Sequence, residues 1–329
     1  MAREQGVLRL RFTHEDLLRT RVLPTPDPMW ELVLSMHALI PHGELNGHTT
    51  WRRGARNRIN GSDLEADRKL LAVLVPPAGN FADFLTPSVA ADIATSLDLV
   101  RATPKSQLRA DLDAVRLRRP DTSFGRGLAD GDVESMSLLI RSMRRYFDAV
   151  VAPFWPDVVR HVRADQGMRA NQLLTCGLAG VLTRLGPSIR WQWPDLEAPY
   201  PRDHTIMLGG RGLTLIPSYF CTGAVTLIDP ERTPVLVYPA CRLPGDPAEL
   251  DRAVARLSPV VGTSRARILV TLRAAHSTSE LAESIGLSLA SASRQVTLLR
   301  EAGLVTSARA GQSVVHTLTA KGRRLLEGY

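Results

Sequence analysis

The stretch GLSLASASRQVTLLREAGLV, residues 286–305, decides the fold of the C-terminal part of the chain. Ser288 is a good N-cap, because its hydroxyl can accept a hydrogen bond from a backbone N–H of the first helical turn. An apolar stripe follows at spacings of four and three, formed by Ala292, Val296 and Leu299. Gly303 suits the left-handed position that ends many helices. The stretch therefore predicts a helix over residues 289–302, with a strand directly after it.

The other side of this helix is predicted to face outward. Its members are small, polar or basic apart from one leucine: Ala290, Ser291, Arg294, Gln295 and Leu298. Small residues allow a helix to approach a DNA groove closely, and guanidinium and amide groups can pair with base edges. We therefore expect DNA contacts from the helix and its cap, at Ser288, Ala290, Ser291, Arg294 and Gln295.

Two shorter helices are predicted before this one. Ser277 and Glu280 have the spacing of a capping box, and an apolar pair follows before Gly286 turns the chain. Residues 264–272 place three apolar side chains on one helical face. The two helices around Gly286 predict a helix-turn-helix, although a plain helical hairpin also fits this pattern when it is taken alone.

A β-hairpin is predicted after the helices, because apolar residues 305–307 and 314–318 flank the turn-forming residues 308–313. The turn contains Arg309, Gly311 and Gln312. An arginine near such a tip commonly contacts phosphate or the minor groove, so we add Arg309 and Gln312 to the expected DNA contacts. The hairpin, a wing over residues 305–318, favours a winged helix-turn-helix over a plain helical hairpin.

Residues 263–321 resemble the winged helix of the ArsR family of bacterial repressors. The resemblance rests on SRARILVTL (264–272), SELAESIGLS (279–288), ASASRQVTLLREAGLV (290–305), the arginine and glycine of the wing, and the closing LTAKG. It implies a dimeric, DNA-binding transcriptional regulator. Gln295 stands where many members have histidine. The metal-sensing members carry paired cysteines in the helix that corresponds to residues 279–285, where this chain has none.

The composition predicts a globular protein, since 44% of the 329 residues are hydrophobic and 22% are charged, and the length allows two domains. The formal net charge is +8. Basic residues are concentrated in residues 259–329, which contain nine Arg or Lys against four Glu. This charge favours a polyanionic partner such as double-stranded DNA, with a merely solvated basic surface as the alternative.

Several classes of site are not predicted. The three cysteines, Cys176, Cys221 and Cys241, have no CxxC spacing, which argues against a disulfide framework or a zinc site. The spacings of His37, His42 and His48 fit no single helix face, so we interpret these residues as surface or core histidines. No segment predicts a signal peptide or a membrane span. We expect a cytoplasmic protein without a metal, a cofactor or a membrane partner.

Residues 1–245 predict a large mixed domain of helices followed by a β-meander. The helix that starts at Asp27 and Pro28 is apolar on two sides, which predicts burial. Between residues 189 and 238, short apolar segments alternate with turns and indicate the meander. Within it, Gly209–Gly212 predicts a hairpin turn rather than a phosphate-binding loop, because no lysine and no strand-to-helix context accompany these glycines. The predicted fold class is therefore α+β.

A domain boundary is predicted at residues 243–247. Asp246, Pro247 and Glu249 form a helix start, and an apolar stripe follows at Leu250, Val254 and Leu257. We interpret this helix as a connector that opens the second domain, residues 246–329. Its stripe is a candidate dimer seam.

No motif of a known catalytic site is present: the chain lacks GxSxG, HExxH and a Walker glycine loop. We therefore expect a non-enzymatic transcriptional regulator, a repressor that binds DNA as a homodimer and is controlled through an N-terminal domain that assembles subunits or binds a small-molecule effector. Two alternatives stay open. One is an enzyme of unknown reaction with a DNA-binding tail, and the other is a scaffold that uses the winged helix for protein contacts.

Overall fold

A computed structural model describes residues 6–40, 48–76, 81–87, 92–116, 123–227, 229, 232–241, 247–273, 276–310 and 313–327. The chain divides into two compact units. Unit 1 comprises Met1–Ile40 and Thr50–Leu243, and unit 2 contains Pro244–Tyr329. Helices and strands are mixed in both units, so the predicted α+β class is confirmed.

Helices supply most of the regular structure described in unit 1. They are α1 (His14–Arg19), α2 (Pro28–Ala38), α3 (Thr49–Ile59), α4 (Leu64–Leu71), α5 (Ile93–Arg101), α6 (Lys105–Arg116), α7 (Ser123–Asp130), α8 (Val133–Tyr146) and α9 (Trp155–Thr183). Several begin at a side chain that accepts a hydrogen bond from the first helical turn, namely Thr13, Asp27, Asp92 and Asp132. These caps satisfy backbone N–H groups that would otherwise lack a partner.

Helix α2 lies at the centre of the helical core, as its two apolar sides predict. Ten of its eleven residues are buried, and only His37 is half-buried. The hydroxyls of Ser35 and Tyr146 lie 3.2 Å apart, which joins α2 to the end of α8. The chain then passes through a π-turn (Phe147–Val151) and a 3₁₀ turn (Ala152–Phe154) into α9.

The strands of unit 1 form two separate sheets. They are β1 (Gly6–Arg11), β2 (Arg21–Val22), β3 (Arg190–Gln192), β4 (Asp195–Tyr200), β5 (His204–Met207), β6 (Thr214–Ser218) and β7 (Val235–Pro239). The first sheet has the order β3-β4-β1-β5, in which β1 is antiparallel to β4 and parallel to β5. The second has the order β2-β6-β7 and is parallel throughout.

The predicted β-meander is wrong. Strands β5 and β6 belong to different sheets, and residues 224–227 contribute only an isolated bridge, between Val225 and Val237. The glycine segment between β5 and β6 is therefore not a hairpin turn, and its Gly212 N–H donates a 2.8 Å hydrogen bond to the buried Asp16 carboxylate. Gly212 has a φ of +74°, and a Cβ there would lie 2.6 Å from the Arg19 carbonyl oxygen. The segment therefore packs against α1.

The parallel sheet has a hydrophobic cluster on each face, which explains its almost wholly apolar strands. On β6, Leu215 packs into the cluster with β1 and β4, and Ile216 packs into the helical cluster. On β7, Leu236 and Val237 divide in the same way. Because alternate side chains point to opposite faces of a strand, the parallel sheet packs against the helices on one face and against the first sheet on the other.

Unit 2 is a small domain with its own core. Its elements are α10 (Pro247–Val261), α11 (Thr263–Thr271), β8 (His276–Ser277), α12 (Thr278–Ile285), α13 (Leu289–Glu301), β9 (Val305–Ala310), β10 (Ser313–Leu318) and α14 (Ala320–Glu327). The strands form an antiparallel sheet of order β8-β10-β9. The core combines side chains from α10, α11, α12, α13, both hairpin strands and α14.

Two interpretations of unit 2 need correction. Leu257 is buried in the core of the unit, and Leu250 and Val254 pack against that core. The stripe of α10 is therefore occupied within the subunit and is not a free dimer seam. The hairpin strands are also longer than predicted, so Arg309 lies within β9 opposite Val314 and not at the turn. Asp246 and Gln312 lie outside the described residues.

Candidate nucleic-acid interface

A three-residue turn joins α12 to α13. Ser277 and Glu280 form the predicted capping box at the start of α12, and Gly286 ends this helix in the left-handed conformation with φ 70°. The Leu287 N–H donates to the Ala282 carbonyl at 2.9 Å, and Ser288 caps α13 by accepting from the Ser291 N–H at 3.3 Å. Both helix ends at the turn are thus satisfied locally, which fixes the angle between the two helices.

The inner face of α13 holds the helix against unit 2. Ala292, Val296 and Leu299 are buried, as their spacing predicts. After the helix, Gly303 has a φ of +70°, and the Leu304 N–H donates to the Leu299 carbonyl at 2.9 Å. These contacts leave the outer face of α13 as the surface that this helix can present to a partner.

The closing segment LTAKG fixes the end of α13. Thr319 Oγ1 donates to the Gly303 carbonyl at 2.7 Å, and the Lys321 ammonium lies 3.3 Å from the carbonyl of Ala302, at the negative end of the helix. A Cβ at Gly322 would lie 2.2 Å from the Leu304 carbonyl oxygen, so this close approach requires glycine. The segment therefore holds the end of α13, and the start of the hairpin behind it, against α14.

The residues predicted to contact DNA divide into two groups along α13. Ser288, Ala290 and Arg294 are exposed, whereas Ser291 and Gln295 are half-buried. A helical period of 3.6 residues explains the division, because Gln295 precedes the buried Val296 and lies on the flank of the helix. The prediction that Ser291 and Gln295 face outward is therefore corrected: both lie on the flank of α13, with part of each side chain accessible.

The outer surface of α13 also contains exposed residues that were not among the predicted DNA contacts. Ser293 is exposed beside Arg294, and its position one turn after Ala290 is the signal that identifies it. Two leucines are exposed at the ends of this face, Leu289 at 55% and Leu298 at 40%. Apolar side chains in such a surface can contact thymine methyl groups in the major groove.

His316 was missed in the sequence and joins the hairpin to α12. It lies in β10 and is buried, with Nδ1 2.8 Å from Ser307 Oγ on β9 and Nε2 2.8 Å from Thr278 Oγ1 on α12. Burial, with a smaller effect from Arg300, lowers the pKa of the His316 imidazole below its ordinary value. The neutral ring therefore bridges two hydroxyl groups at neutral pH and sets the position of the hairpin relative to α12.

Two arginines of the interface are free to meet an anion. Arg294 on α13 and Arg309 on β9 are both exposed, and neither makes a hydrogen bond or an ion pair with another described residue. Arg300, Arg323 and Arg324 are also exposed in unit 2. Unpaired guanidinium groups retain their full charge for phosphate or base contacts.

The described residues form no candidate metal site and no candidate membrane span. Within it, no group of three or more His, Cys, Asp or Glu side chains is arranged to hold a metal ion. His37 Nε2 lies 2.9 Å from the Pro76 carbonyl oxygen, and His42 is outside the described residues. The three cysteines are free thiols. None of the described helices combines the length and the apolar character that crossing a bilayer requires.

Comparison with known proteins agrees with this geometry in unit 2. A family model described as a helix-turn-helix domain matches residues 264–308, which run from α11 through α12 and α13 into β9. No curated protein and no solved structure matches the chain significantly. The C-terminal unit therefore contains a helix-turn-helix domain, the kind of domain by which many transcriptional regulators bind DNA.

Proposed function

We propose that the chain is a transcriptional regulator of the ArsR type that binds double-stranded DNA through unit 2 and represses transcription. The observation that carries the proposal is the exposed outer face of α13, the second helix of the helix-turn-helix, on which Arg294 has no partner among the described residues. The β9-β10 hairpin would act as the wing, with Arg309 at the sugar-phosphate or the minor groove. Binding to a bacterial chromosome would place the protein in the cytoplasm.

The base contacts follow from the chemistry of the exposed face. Arg294 can form a bidentate pair with guanine, and Gln295 can pair with adenine from the flank of α13. Ala290 and Ser291 are small enough to allow close approach of the helix to the major groove, and Ser288 and Gln312 complete the proposed contact set. We propose that the backbone contacts hold the helix in register while the two long side chains read the bases.

Assembly and control belong to the same proposal. One recognition helix reads only a few base pairs, and a two-fold dimer places two such helices about one turn of DNA apart. We therefore propose a homodimer on an inverted repeat, whose interface lies on a surface other than the occupied stripe of α10. The two units would act as separate domains, with unit 1 serving regulation or assembly rather than catalysis.

The test uses the full chain and fragments of genomic DNA. Fragments retained by the protein are sequenced, and the affinity for the enriched site is measured between about 50 and 200 mM salt. We expect enrichment of an inverted repeat and a steep loss of affinity with salt, because each phosphate contact releases counterions. As a control, Arg101→Ala removes one exposed guanidinium from α5 of unit 1 and should leave the affinity for the enriched site unchanged. Absence of an enriched site, or an affinity independent of salt, would contradict the proposal.

A further inference from the structure

Unit 1 contains a cavity of about 260 Å³ at one edge of its parallel sheet. The first residues of the three strands, Arg21, Thr214 and Val235, lie side by side there, because Arg21 pairs with Thr214 and Thr214 pairs with Val235. All three line the cavity. Its volume lies just below the usual range for ligand sites, roughly 300–1,000 Å³, which limits a ligand to a small molecule.

The lining combines apolar and polar side chains. Its apolar part, called the apolar base below, consists of the buried side chains Trp30, Ile216, Leu227 and Val235. Its polar part consists of two arginines, Arg21 and Arg232, and three threonines, Thr86, Thr214 and Thr233, of which Thr86 and Thr214 are also buried. None of the described lining residues is acidic. The cavity therefore combines an apolar surface with two positive charges and several hydroxyl groups.

The two arginines are held in different ways. Arg232 is anchored by backbone carbonyls, since it donates to the Asp83 oxygen at 2.8 Å and to the Thr86 oxygen at 3.2 Å. Arg21 is exposed, and the one hydrogen bond of its guanidinium to a described residue is a long one, from Nε to Thr214 Oγ1 at 3.4 Å. Neither guanidinium lies within 4 Å of a carboxylate in the described part of the chain. The Arg21 charge is therefore available to a ligand, and Arg232 keeps its charge at the cavity although the Asp111 carboxylate also attracts it.

Two further polar groups belong to residues that line the cavity. The indole N–H of Trp30 donates no hydrogen bond to a described residue. The Thr214 hydroxyl accepts from Arg21 and donates to no described side chain. Both groups could donate a hydrogen bond to a ligand oxygen.

We propose that this cavity binds a small organic acid, a monocarboxylate with an apolar body. The carboxylate would accept charge-assisted hydrogen bonds from Arg21 and Arg232, while an aromatic or aliphatic body would cover the apolar base. A free inorganic anion would leave that base in contact with water. The inference rests on the proposed function only in making the organic acid the effector of the regulator. Its binding chemistry stands on the cavity alone.

Isothermal titration calorimetry of the full chain with benzoate tests the proposal. Benzamide has the same ring without the charge, and inorganic phosphate has charge without the apolar body. We expect benzoate to bind with a dissociation constant of about 1 mM or lower, and both comparison compounds to bind about tenfold more weakly or worse. Arg21→Gln and Arg232→Gln should each weaken benzoate binding about tenfold, whereas the exposed control Arg101→Gln should leave it unchanged.

Tryptophan fluorescence locates the bound acid. Trp30 lines the cavity and Trp51, Trp155, Trp191 and Trp193 do not, so benzoate should change the tryptophan emission of the wild-type protein, and this change should follow the same binding curve as the calorimetry. If Arg232→Gln does not fold, Arg21→Gln alone tests the proposal, because replacement of the exposed Arg21 should leave the fold intact. Equal affinity for benzoate and benzamide, tighter binding of phosphate, or unchanged affinity in folded Arg21→Gln would overturn the proposal. DNA binding without acid binding would overturn this inference alone, and acid binding without DNA binding would overturn the proposed function alone.

Discussion

Unit 1 and unit 2 differ in their buried carboxylates. Local helix caps occur in both units, as in the pair Ser277 and Glu280 of unit 2. Among the described residues, however, buried Asp and Glu side chains occur only in unit 1, where some of them join segments that are distant in sequence. Glu31 accepts from the backbone N–H groups of Tyr219 and Phe220, which lie 188 and 189 residues away.

The difference explains which parts of the fold can be predicted from short stretches of sequence. A cap or a left-handed glycine carries its own signal, because both partners fall within one short window of sequence. A carboxylate that accepts from a remote backbone N–H gives no such signal, since any residue can provide that N–H. We infer that removal of a buried carboxylate in unit 1 has a larger effect than removal of a cap in unit 2.

The largest effect is expected at Asp165 on α9. Its carboxylate accepts from Arg169 Nη2 at 3.0 Å, from the Tyr238 hydroxyl at 2.5 Å and from the Cys241 N–H at 3.0 Å, and it is fully buried. Asp165→Asn should lower the free energy of unfolding of unit 1 by about 3–5 kcal/mol, because it leaves Arg169 buried without its counterion. Urea unfolding followed by tryptophan fluorescence measures this unit, since all five tryptophans lie in it.

Asp157→Asn on the same helix is the matched control. Asp157 pairs with Arg160 at 2.6 Å, but both side chains are about half exposed. Exposed ion pairs contribute about 0–1 kcal/mol, so the variant should unfold close to the wild type. Equal losses in the two variants would contradict the distinction between buried and exposed carboxylates.

The next largest effect is expected at Glu31, whose ionisation should make the stability of unit 1 depend on pH. Burial raises the pKa of Glu31 to about 7, although three hydrogen bonds from Tyr219, Phe220 and Ser218 oppose the shift. Between about pH 4.5 and 7 the folded state therefore holds a proton that the unfolded state releases, so the contribution of Glu31 to stability is greatest at low pH. It should fall by at most about 3 kcal/mol as the pH rises from about 4.5 through 7.

Urea unfolding at a series of pH values measures this slope. Glu31→Gln should be less stable overall but should lose most of the slope above pH 6, where the nearby Asp27, with its pKa raised to about 6 by burial, contributes less. A slope of equal size in Glu31→Gln would assign the pH dependence to other groups.

A smaller effect is expected from the cap of α12 in unit 2. Ser277→Ala removes the hydroxyl that accepts from the Glu280 N–H and should cost about 1 kcal/mol. Hydrogen exchange followed by mass spectrometry reports the opening of α12 and α13 directly. Ser284→Ala, an exposed serine within α12, should change the exchange free energy by less than about 0.5 kcal/mol. A Ser277→Ala effect as large as that of Asp165→Asn would remove the contrast between the units.

The smallest effect has the opposite pH sign and belongs to His316. Because the folded state lowers the pKa of the ring, the contribution of His316 to stability is present above the ordinary histidine pKa and is lost as the pH falls. Unit 2 should therefore weaken on acidification, whereas Glu31 favours unit 1 in acid. An NMR titration of the His316 ring checks the direction, and an apparent pKa above the ordinary histidine value would show that the pairing with Thr278 and Ser307 favours the charged form.

The sequence predicted the helix-turn-helix closely and the architecture of unit 1 poorly. The caps of α12 and α13, the buried stripe of α13 and the left-handed glycines are confirmed, because each depends on local spacing. The prediction of a meander failed because β5 pairs with β1 and β6 pairs with β2, and both partners lie near the start of the chain, far outside any local window of sequence. In the candidate site, β9 extends three residues beyond the predicted strand, to Ala310, and Gln295 lies on the flank of α13. Differences of this size decide whether a side chain faces outward.

The central claim is that the outer face of α13 reads DNA sequence while the hairpin contacts the backbone. The most direct measurement compares Arg294→Ala and Arg309→Ala on the enriched site and on random DNA at one salt concentration, with thermal unfolding as the folding control. Arg294→Ala should reduce the difference in binding free energy between the enriched site and random DNA by about 1–3 kcal/mol, and Arg309→Ala should weaken both affinities about equally. A folded Arg294→Ala protein that keeps the full ratio would contradict the claim and place sequence recognition elsewhere.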